Sequence, residues 1–296
     1  MTKTILKQLP VLFSVLLLSA CDIINPEEDI PAFIHIDSFN FTTNPFMEGS
    51  DSEKITDVYF FVDGELLGGF ELPATIPILE TGEQEITAIP GIRENGIKAL
   101  PGIYPFYTQY VTQVDLEPGR IDTIEPATSY QSGVQFRFSP EERFEGNTNV
   151  FLNDLDGNSQ TKIVSSTEDI FEGIASGQIH LDQANTTIAA GSFFFTDFPE
   201  EISTAYLEMD YKAGVEMIVG IIGFNSSGDQ AYTSFERGVN QNEDWTKIYF
   251  NFSDDIQFIS ASTSGIIAYQ LCFHARLRDD QTEADIYLDN IKWLHF

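Results

Sequence analysis

From Phe33 to the C-terminus, apolar and polar residues alternate in short runs broken by Gly, Pro, Asn and Asp. A period of two puts alternate side chains on opposite faces of a strand, and almost no stretch carries the 3.6-residue period of a helix, so the pattern predicts an all-β chain. The runs fall into two groups. The first holds a strand Val58–Val62, an Asp63-Gly64 turn and a second strand ending at Pro73, then Gln84–Ile89, Tyr107–Leu116, a Pro118-Gly119 turn and Ile121–Ile124. Asp-Gly between apolar runs signals a hairpin because both residues tolerate positive φ. The second group has longer strands: Ala205–Tyr211, Val215–Phe224, Lys247–Phe252, Ile267–Leu277 and Asp285–Phe296. Val215–Phe224 is apolar on both faces, as a strand buried mid-sandwich should be, and the others alternate. The expected architecture is two β-sandwich domains: a small immunoglobulin-like one over 32–126 and a larger jelly roll over 134–296, with a Ser- and Gly-containing linker at 127–133.

The N-terminus breaks this pattern. Lys3 and Lys7 precede a mostly apolar segment, Leu9–Ala20, that ends in Leu18-Ser19-Ala20-Cys21. A segment of this length is short of the roughly 20 residues a membrane-spanning helix needs, and its order of charge, apolar core and small residues is that of an export signal. It resembles a bacterial lipoprotein signal, which implies removal of residues 1–20 and acylation of Cys21. Several acyl chains hold a protein where one gives only marginal binding. Asp22 and the cluster Glu27-Glu28-Asp29 resemble the surface-display signal of Bacteroidetes-type outer-membrane lipoproteins; a solvated acidic tether over 21–31 is the plainer reading of the same residues. The expected location is the cell outer membrane, lipid-anchored.

Charge narrows the partners. The chain has 15 basic and 46 acidic residues. Loss of Lys3 and Lys7 with the signal leaves 13 basic residues and a net charge of −33. Nucleic acid is excluded, because phosphate binding needs a basic surface, and membrane attachment must rest on the lipid alone. With Cys21 acylated, Cys272 is the only thiol, so no intramolecular disulfide can form. Cys272 sits in the apolar run Ile266–Phe273 and reads as an inert strand cysteine.

Catalytic motifs are absent: no G-x-S-x-G, no H-E-x-x-H, no phosphate-binding loop. His35, His180, His274 and His295 are too scattered for a triad and read as strand-surface residues. The many acids make any one carboxylate pair uninformative about glycoside hydrolysis. Residues 153–158, Asn-Asp-Leu-Asp-Gly-Asn, suggest calcium, but aligning Gly157 with the sixth position of an EF-hand loop puts Leu152 at the first, so the segment reads as a turn. Trp245, at the start of a strand, reads as core.

Two resemblances add to this. Val62-Asp63-Gly64, Gly68, Pro73, Leu79, Gly82 and Glu85-Ile86-Thr87 are similar to PEGA-type envelope domains over about 30 residues, with Glu85 where that pattern usually has histidine. The phrases DWTKIYFNF at 244–252 and ADIYLDNIKWLHF at 284–296 resemble the galactose-binding-like jelly roll of carbohydrate-binding modules. The second resemblance implies a structural calcium held by Glu145, of the pair Phe144-Glu145, and Asp289. No other cofactor is expected.

Strand parity supplies the candidate ligand face. In 269–278 the residues Gln270, Cys272, His274, Arg276 and Arg278 point away from the core, while Tyr249 and Asn251, like Tyr206, Glu208 and Asp210, occupy the polar side of their strands. Aromatic faces beside hydrogen-bonding groups suit sugars, which offer an apolar ring face and a rim of hydroxyls. Tyr249, Asn251, His274 and Arg276 are therefore the candidate ligand-binding residues. Cross-strand ion pairing on a wet sheet face is the competing reading. The functional expectation is a non-enzymatic, lipid-anchored envelope protein whose jelly roll binds a glycan or a protein. Its alternatives are an accessory subunit of a secretion, motility or polysaccharide-uptake complex and, third, a glycan-cleaving enzyme.

Overall fold

The computed structural model describes residues 29–138, 141–146, 148–196, 204–262 and 265–296. Cys21, the signal before it and the tether up to residue 28 lie outside them. No helix among the described residues is long and apolar enough to cross a membrane.

Among the described residues the chain is all-β, with one short helix. The first unit contains β1 (Ala32–Ile36), β2 (Asn40–Phe41), β3 (Asp57–Val62), β4 (Glu65–Glu71), β5 (Ala74–Ile78), β6 (Gly82–Arg93), β7 (Pro101–Ile103), β8 (Tyr110–Leu116), β9 (Ile121–Thr123) and β10 (Ala127–Thr128). Sheet β5-β1-β9 and sheet β4-β3-β6-β7, with β8 added on β6, enclose one core; β2 and β10 form a short parallel pair. The alternating run AFIHI of β1 sends Ala32, Ile34 and Ile36 inward, where they join Ile76, Phe60, Ile86 and Ala88. The β3–β4 hairpin turns at Asp63 and Gly64, with φ of 47° and 80°, as the Asp-Gly signal requires. Residues 127–133, expected as a linker, are built into this unit instead. Ala127 and Thr128 pair with Asn40 and Phe41, and the Tyr130 ring packs 5.2 Å from Phe41 and 5.4 Å from Tyr107.

The second unit contains β11 (Gln135–Phe136), β12 (Asn153–Asp154), β13 (Val164–Ser166), β14 (Ser176–Asp182), β15 (Thr187–Gly191), β16 (Ala205–Ala213), β17 (Met217–Asn225), β18 (Gln230–Val239), β19 (Asn242–Asn251), α1 (Ser253–Ser262), β20 (Ile266–Arg276) and β21 (Glu283–His295). Six strands make one sheet, β13-β14-β21-β16-β19 with β11 on β21; five make the other, β12-β15-β20-β17-β18. Between them lie Ile179, Leu207, Met209, Phe250, Ile286 and Trp293 from the first sheet, and Ile188, Val219, Leu271 and Phe273 from the second. The two inner faces thus form a sandwich core, to which the strands send alternate residues. Helix α1, which the period-two pattern does not announce, places Asp254 and Asp255 in its first turn, where the helix dipole favours acids.

The turn reading of 153–158 agrees with the hydrogen bonds. Asp154 Oδ1 accepts from the Asp156 and Gly157 amides, and Asp156 Oδ2 accepts from the Ala189 amide, so both carboxylates serve the backbone. Cys272 is buried, and burial pushes its thiol up to about 12, as an inert cysteine should be. His295 departs from the strand-surface reading. It is buried, and its Nε2 accepts from Arg137 Nε at 2.7 Å.

Candidate functional site

The outer face of the six-stranded sheet divides in two. On β16, residues Tyr206, Glu208, Asp210 and Lys212 point outward; on β19, Trp245, Lys247, Tyr249 and Asn251 do so, in agreement with strand parity. The first unit docks over the end of this face that carries Tyr206, Glu208, Lys247, Tyr249 and Lys292.

The covered half is polar yet dry. Glu208, fully buried, accepts from Tyr104 Oη at 2.6 Å and Tyr130 Oη at 2.9 Å and lies 3.1 Å from Lys247 Nζ. Lys292 Nζ donates to the Ser50 carbonyl at 2.6 Å and sits 3.6 Å from Glu141. Asp210 accepts from Ser52 Oγ at 2.8 Å and Asn290 Nδ2 at 3.2 Å. Burial alone would lower the pKa of Lys247, but Asp210 and Glu208 hold it above the ordinary lysine value, while burial lowers that of Lys292. Burial, then the Glu208 charge, raises Tyr104, Tyr107 and Tyr130 well above the usual phenol, so all three stay neutral. Tyr104 also stacks edge-on against Tyr206 and Tyr249, at 5.3 and 4.9 Å. The junction is thus an interior of paired charges and rings, and such charges are tolerated in low dielectric only because every one has a partner.

Tyr249 belongs to this interior. It is 1 % exposed, hydrogen-bonded to Tyr107 Oη at 3.2 Å and to the Lys54 amide at 2.9 Å. Asn251 is half-buried under residues 94–95: its amide donates to Asn95 Oδ1 at 3.2 Å. His274 and Arg276 stand on β20, in the other sheet, and so on the opposite outer face of the sandwich; His274 is half-buried opposite Ala189 and Ile218, and Arg276 is exposed. The four candidate ligand residues therefore do not share one wet face. Parity assigned their directions, but the docked unit covers one pair and the sandwich separates it from the other.

The open half of the same sheet face brings together residues of another kind. Gln178, Tyr287 and Lys212 form a cross-strand row on β14, β21 and β16, with His180 opposite Asp285 in the next row. Trp245 is half-buried at the edge of this row rather than in the core. Its ring centroid lies 5.3 Å from Phe171 and 6.4 Å from Tyr287, and its indole N–H donates to Asp169 at 2.8 Å. Asp169 also pairs with Lys212 at 2.5 Å. Burial alone would raise Asp169, but the hydrogen bonds from Lys212 and Trp245 hold it below the usual carboxylate range. Gln178 Nε2 reaches Glu168, Asp285 and Tyr287, and His180 Nδ1 lies 2.9 Å from Asp285, whose hydrogen bond raises the imidazole pKa. The result is a wall of three rings above a row of amide, carboxylate, ammonium and imidazole groups, open to solvent.

Glu145 and Asp289 meet at the loop that carries Phe171. Glu145 Oε1 accepts from the Ile174 amide at 3.1 Å; Asp289 accepts from Ser176 Oγ at 2.8 Å and from the Glu172 amide at 3.3 Å. The two hold residues 172–176 from two sides. Gly173 has a φ of 70°, a conformation that favours glycine, and a Cβ there would push the Glu145 carboxylate aside. Burial raises Asp289 to about 7. Among the described residues, no three His, Cys, Asp or Glu side chains are grouped to hold a metal ion.

No protein-family model and no curated protein matches the chain. Solved structures do. A carbohydrate-binding module of the beta-sandwich superfamily is 14 % identical over 90 % of this chain and 99 % of its own, with a TM-score of 0.41. The CBM22-1 xylan-binding domain from Paenibacillus barcinonensis Xyn10C is 14 % identical over 52 % of this chain and 92 % of its own, TM-score 0.36. The enzymatically active domain of tailspike protein 4 of bacteriophage CBA120 is 8 % identical over 46 % of this chain but only 18 % of its own, TM-score 0.36.

Proposed function

We propose that this protein is a non-catalytic, lipid-anchored glycan-binding protein of the cell envelope, with the open half of the six-stranded sheet as its ligand surface. The observation that carries the reading is the juxtaposition of Phe171, Trp245 and Tyr287 with Gln178, His180, Asp285 and Lys212. A pyranose stacks its apolar face on a ring while its hydroxyls meet donors and acceptors beside it. The acylated Cys21 is the anchor in this reading, supported by the Leu18-Ser19-Ala20-Cys21 pattern, and the outer membrane is the location. A structural calcium at Glu145 and Asp289 is part of the same proposal, supported by their common grip on residues 172–176; it would fix the loop that carries Phe171. Two carboxylates are a minority of the six to eight oxygens calcium takes.

Isothermal titration of a neutral oligosaccharide panel against wild type and Trp245→Ala tests the ligand surface. Binding by wild type that falls at least tenfold in the variant, with the melting temperature nearly kept, is the expected result. Binding that survives both Trp245→Ala and Tyr287→Ala removes this face from the reading. For the anchor, Cys21→Ala should abolish acylation and leave an uncleaved precursor, and recovery of mature-sized protein in the detergent phase equal to wild type would remove the anchor from the reading.

A further inference from the structure

Where the first unit meets the free edge of β19, a cleft of about 240 Å³ opens beside the open face. Its walls include Lys54, Thr56, Glu71, Arg93 and Lys98, and Lys247 of β19. Four of the chain's 15 basic residues therefore line one cleft, with Glu71 the single acid among the lining side chains, although acids outnumber bases threefold in the chain.

The four cations are not equally occupied. Arg93 is held from behind by Asp57, Nε at 2.8 Å and Nη2 at 2.9 Å, and Lys247 by Glu208 at 3.1 Å. Glu71 is spread between Arg93 at 3.7 Å and Lys98 at 3.9 Å, and Lys98 is otherwise exposed. Lys54 has no carboxylate partner among the described residues. Its ammonium donates to Thr246 Oγ1 at 2.6 Å across the junction, and partial burial lowers its pKa. Such a cation has lost part of its hydration without gaining a counter-charge, and an anion entering the cleft would supply one. The protein's overall negative charge acts on distant ions but is screened beyond about 8 Å at physiological salt, so these lining groups decide what is bound.

We infer that this cleft receives the carboxylate of an acidic sugar, with Lys54 and Lys98 as its binding residues and Arg93 and Thr56 beside them. The cleft continues the ligand surface along one strand: Trp245 and Lys247 are alternate residues on the same side of β19, about 7 Å apart at the strand rise. A chain stacked at Trp245 is thereby placed to put the acid of a neighbouring residue at the cleft. The inference rests on the glycan reading above and narrows it to uronate-containing polysaccharides.

The probes are a tetragalacturonate and the same oligosaccharide with its carboxylates reduced to alcohols, titrated against the soluble chain lacking residues 1–21. Wild type should bind the acidic form at least tenfold more tightly, and the preference should weaken as salt is raised. The exposed pair Lys54→Ala and Lys98→Ala together should bring affinity for the acidic form down to that for the reduced form. Unaltered melting and unaltered binding of the reduced form show that the variant is folded with its Trp245 surface intact. Equal binding of both forms by wild type, or a preference that survives the double variant, overturns the inference and leaves the glycan reading standing. Binding of neither form also overturns the inference, and the glycan reading then stands or falls on the neutral panel.

Discussion

The two ends of one sheet face, built from the same strands, have become opposite environments. Along β19, Tyr249 and Lys247 are buried, and Trp245, the next outward residue, is half-buried among open-face groups. Along β16, Glu208 and Asp210 are dry, and Lys212 reaches solvent. The strands do not differ; what covers them does. At the covered end Glu208, Lys292 and Asp210 bond to Tyr104, Tyr130, Ser50 and Ser52 of the first unit. At the open end the polar groups are satisfied by one another, in contacts a ligand can rearrange. The comparison teaches that the first unit is no loose spacer. It completes the interior of half the sheet and so defines where the remaining half begins.

The largest expected effect comes from breaking the covered end. Glu208→Ala would leave Lys247 and two tyrosine hydroxyls facing a void, and removal of one member of a buried ion pair costs about 3–5 kcal/mol. Chemical denaturation should show that loss. A cost under about 1 kcal/mol would mean that water enters the junction and that the two units are not joined by it. Tyr249→Ala should cost about 3 kcal/mol or more as a deleted core aromatic, against about 1 kcal/mol or less for the half-exposed Tyr287→Ala. Similar costs for the two tyrosines would erase the distinction between covered and open ends.

Next in size is the loop at the rim of the open end. If calcium joins Glu145 and Asp289, chelator should lower the melting temperature of wild type and leave that of Glu145→Ala unmoved, since a ligand specific to the native state adds about 2.7 kcal/mol at a hundredfold excess over its Kd. A wild-type melting curve indifferent to both chelator and added calcium would reduce the two carboxylates to hydrogen-bond acceptors for residues 172–176.

Much of the fold was legible from the alternating pattern, because a strand in a sandwich needs nothing more than its inward side chains to be apolar. The Asp63-Gly64 hairpin and the strands at 205–213, 217–225, 266–276 and 283–295 follow from it. Parity also gave the outward direction of Glu208, Asp210 and Tyr249. What it could not give is whether outward means wet. The contacts that dry this face join residues as far apart as Ser50 and Lys292, 242 positions along the chain, and no local period encodes them. Trp245 was misread for the related reason that an aromatic at a strand start looks like core. The signal that could have corrected this was its own register, which puts it on the side of Lys247 and Tyr249 rather than that of Ile248 and Phe250. Residues 127–133 have the composition of a linker, yet Tyr130 anchors them, a role visible only once its ring partners are in place.

The smallest expected effect is also the one that most directly reports the open end. The hydrogen bond from Asp285 raises the pKa of His180 above its ordinary 6.5. A histidine whose folded pKa lies above its unfolded one contributes stability that is fully present below 6.5 and is lost as pH rises through the folded value. The pair is half-exposed, so solvent screening keeps the contribution to a few tenths of a kcal/mol. Stability measured by denaturant titration should thus fall slightly across that window in wild type, and His180→Gln should remove that component of the slope without changing stability well above it. The titrating group lies in the row beside Tyr287, so a saturating glycan that engages this row should shift the His180 ring resonances in an NMR pH titration. A His180 titration curve untouched by a bound glycan would place the ligand away from the His180–Asp285 row, and the aromatic wall alone would then have to account for binding.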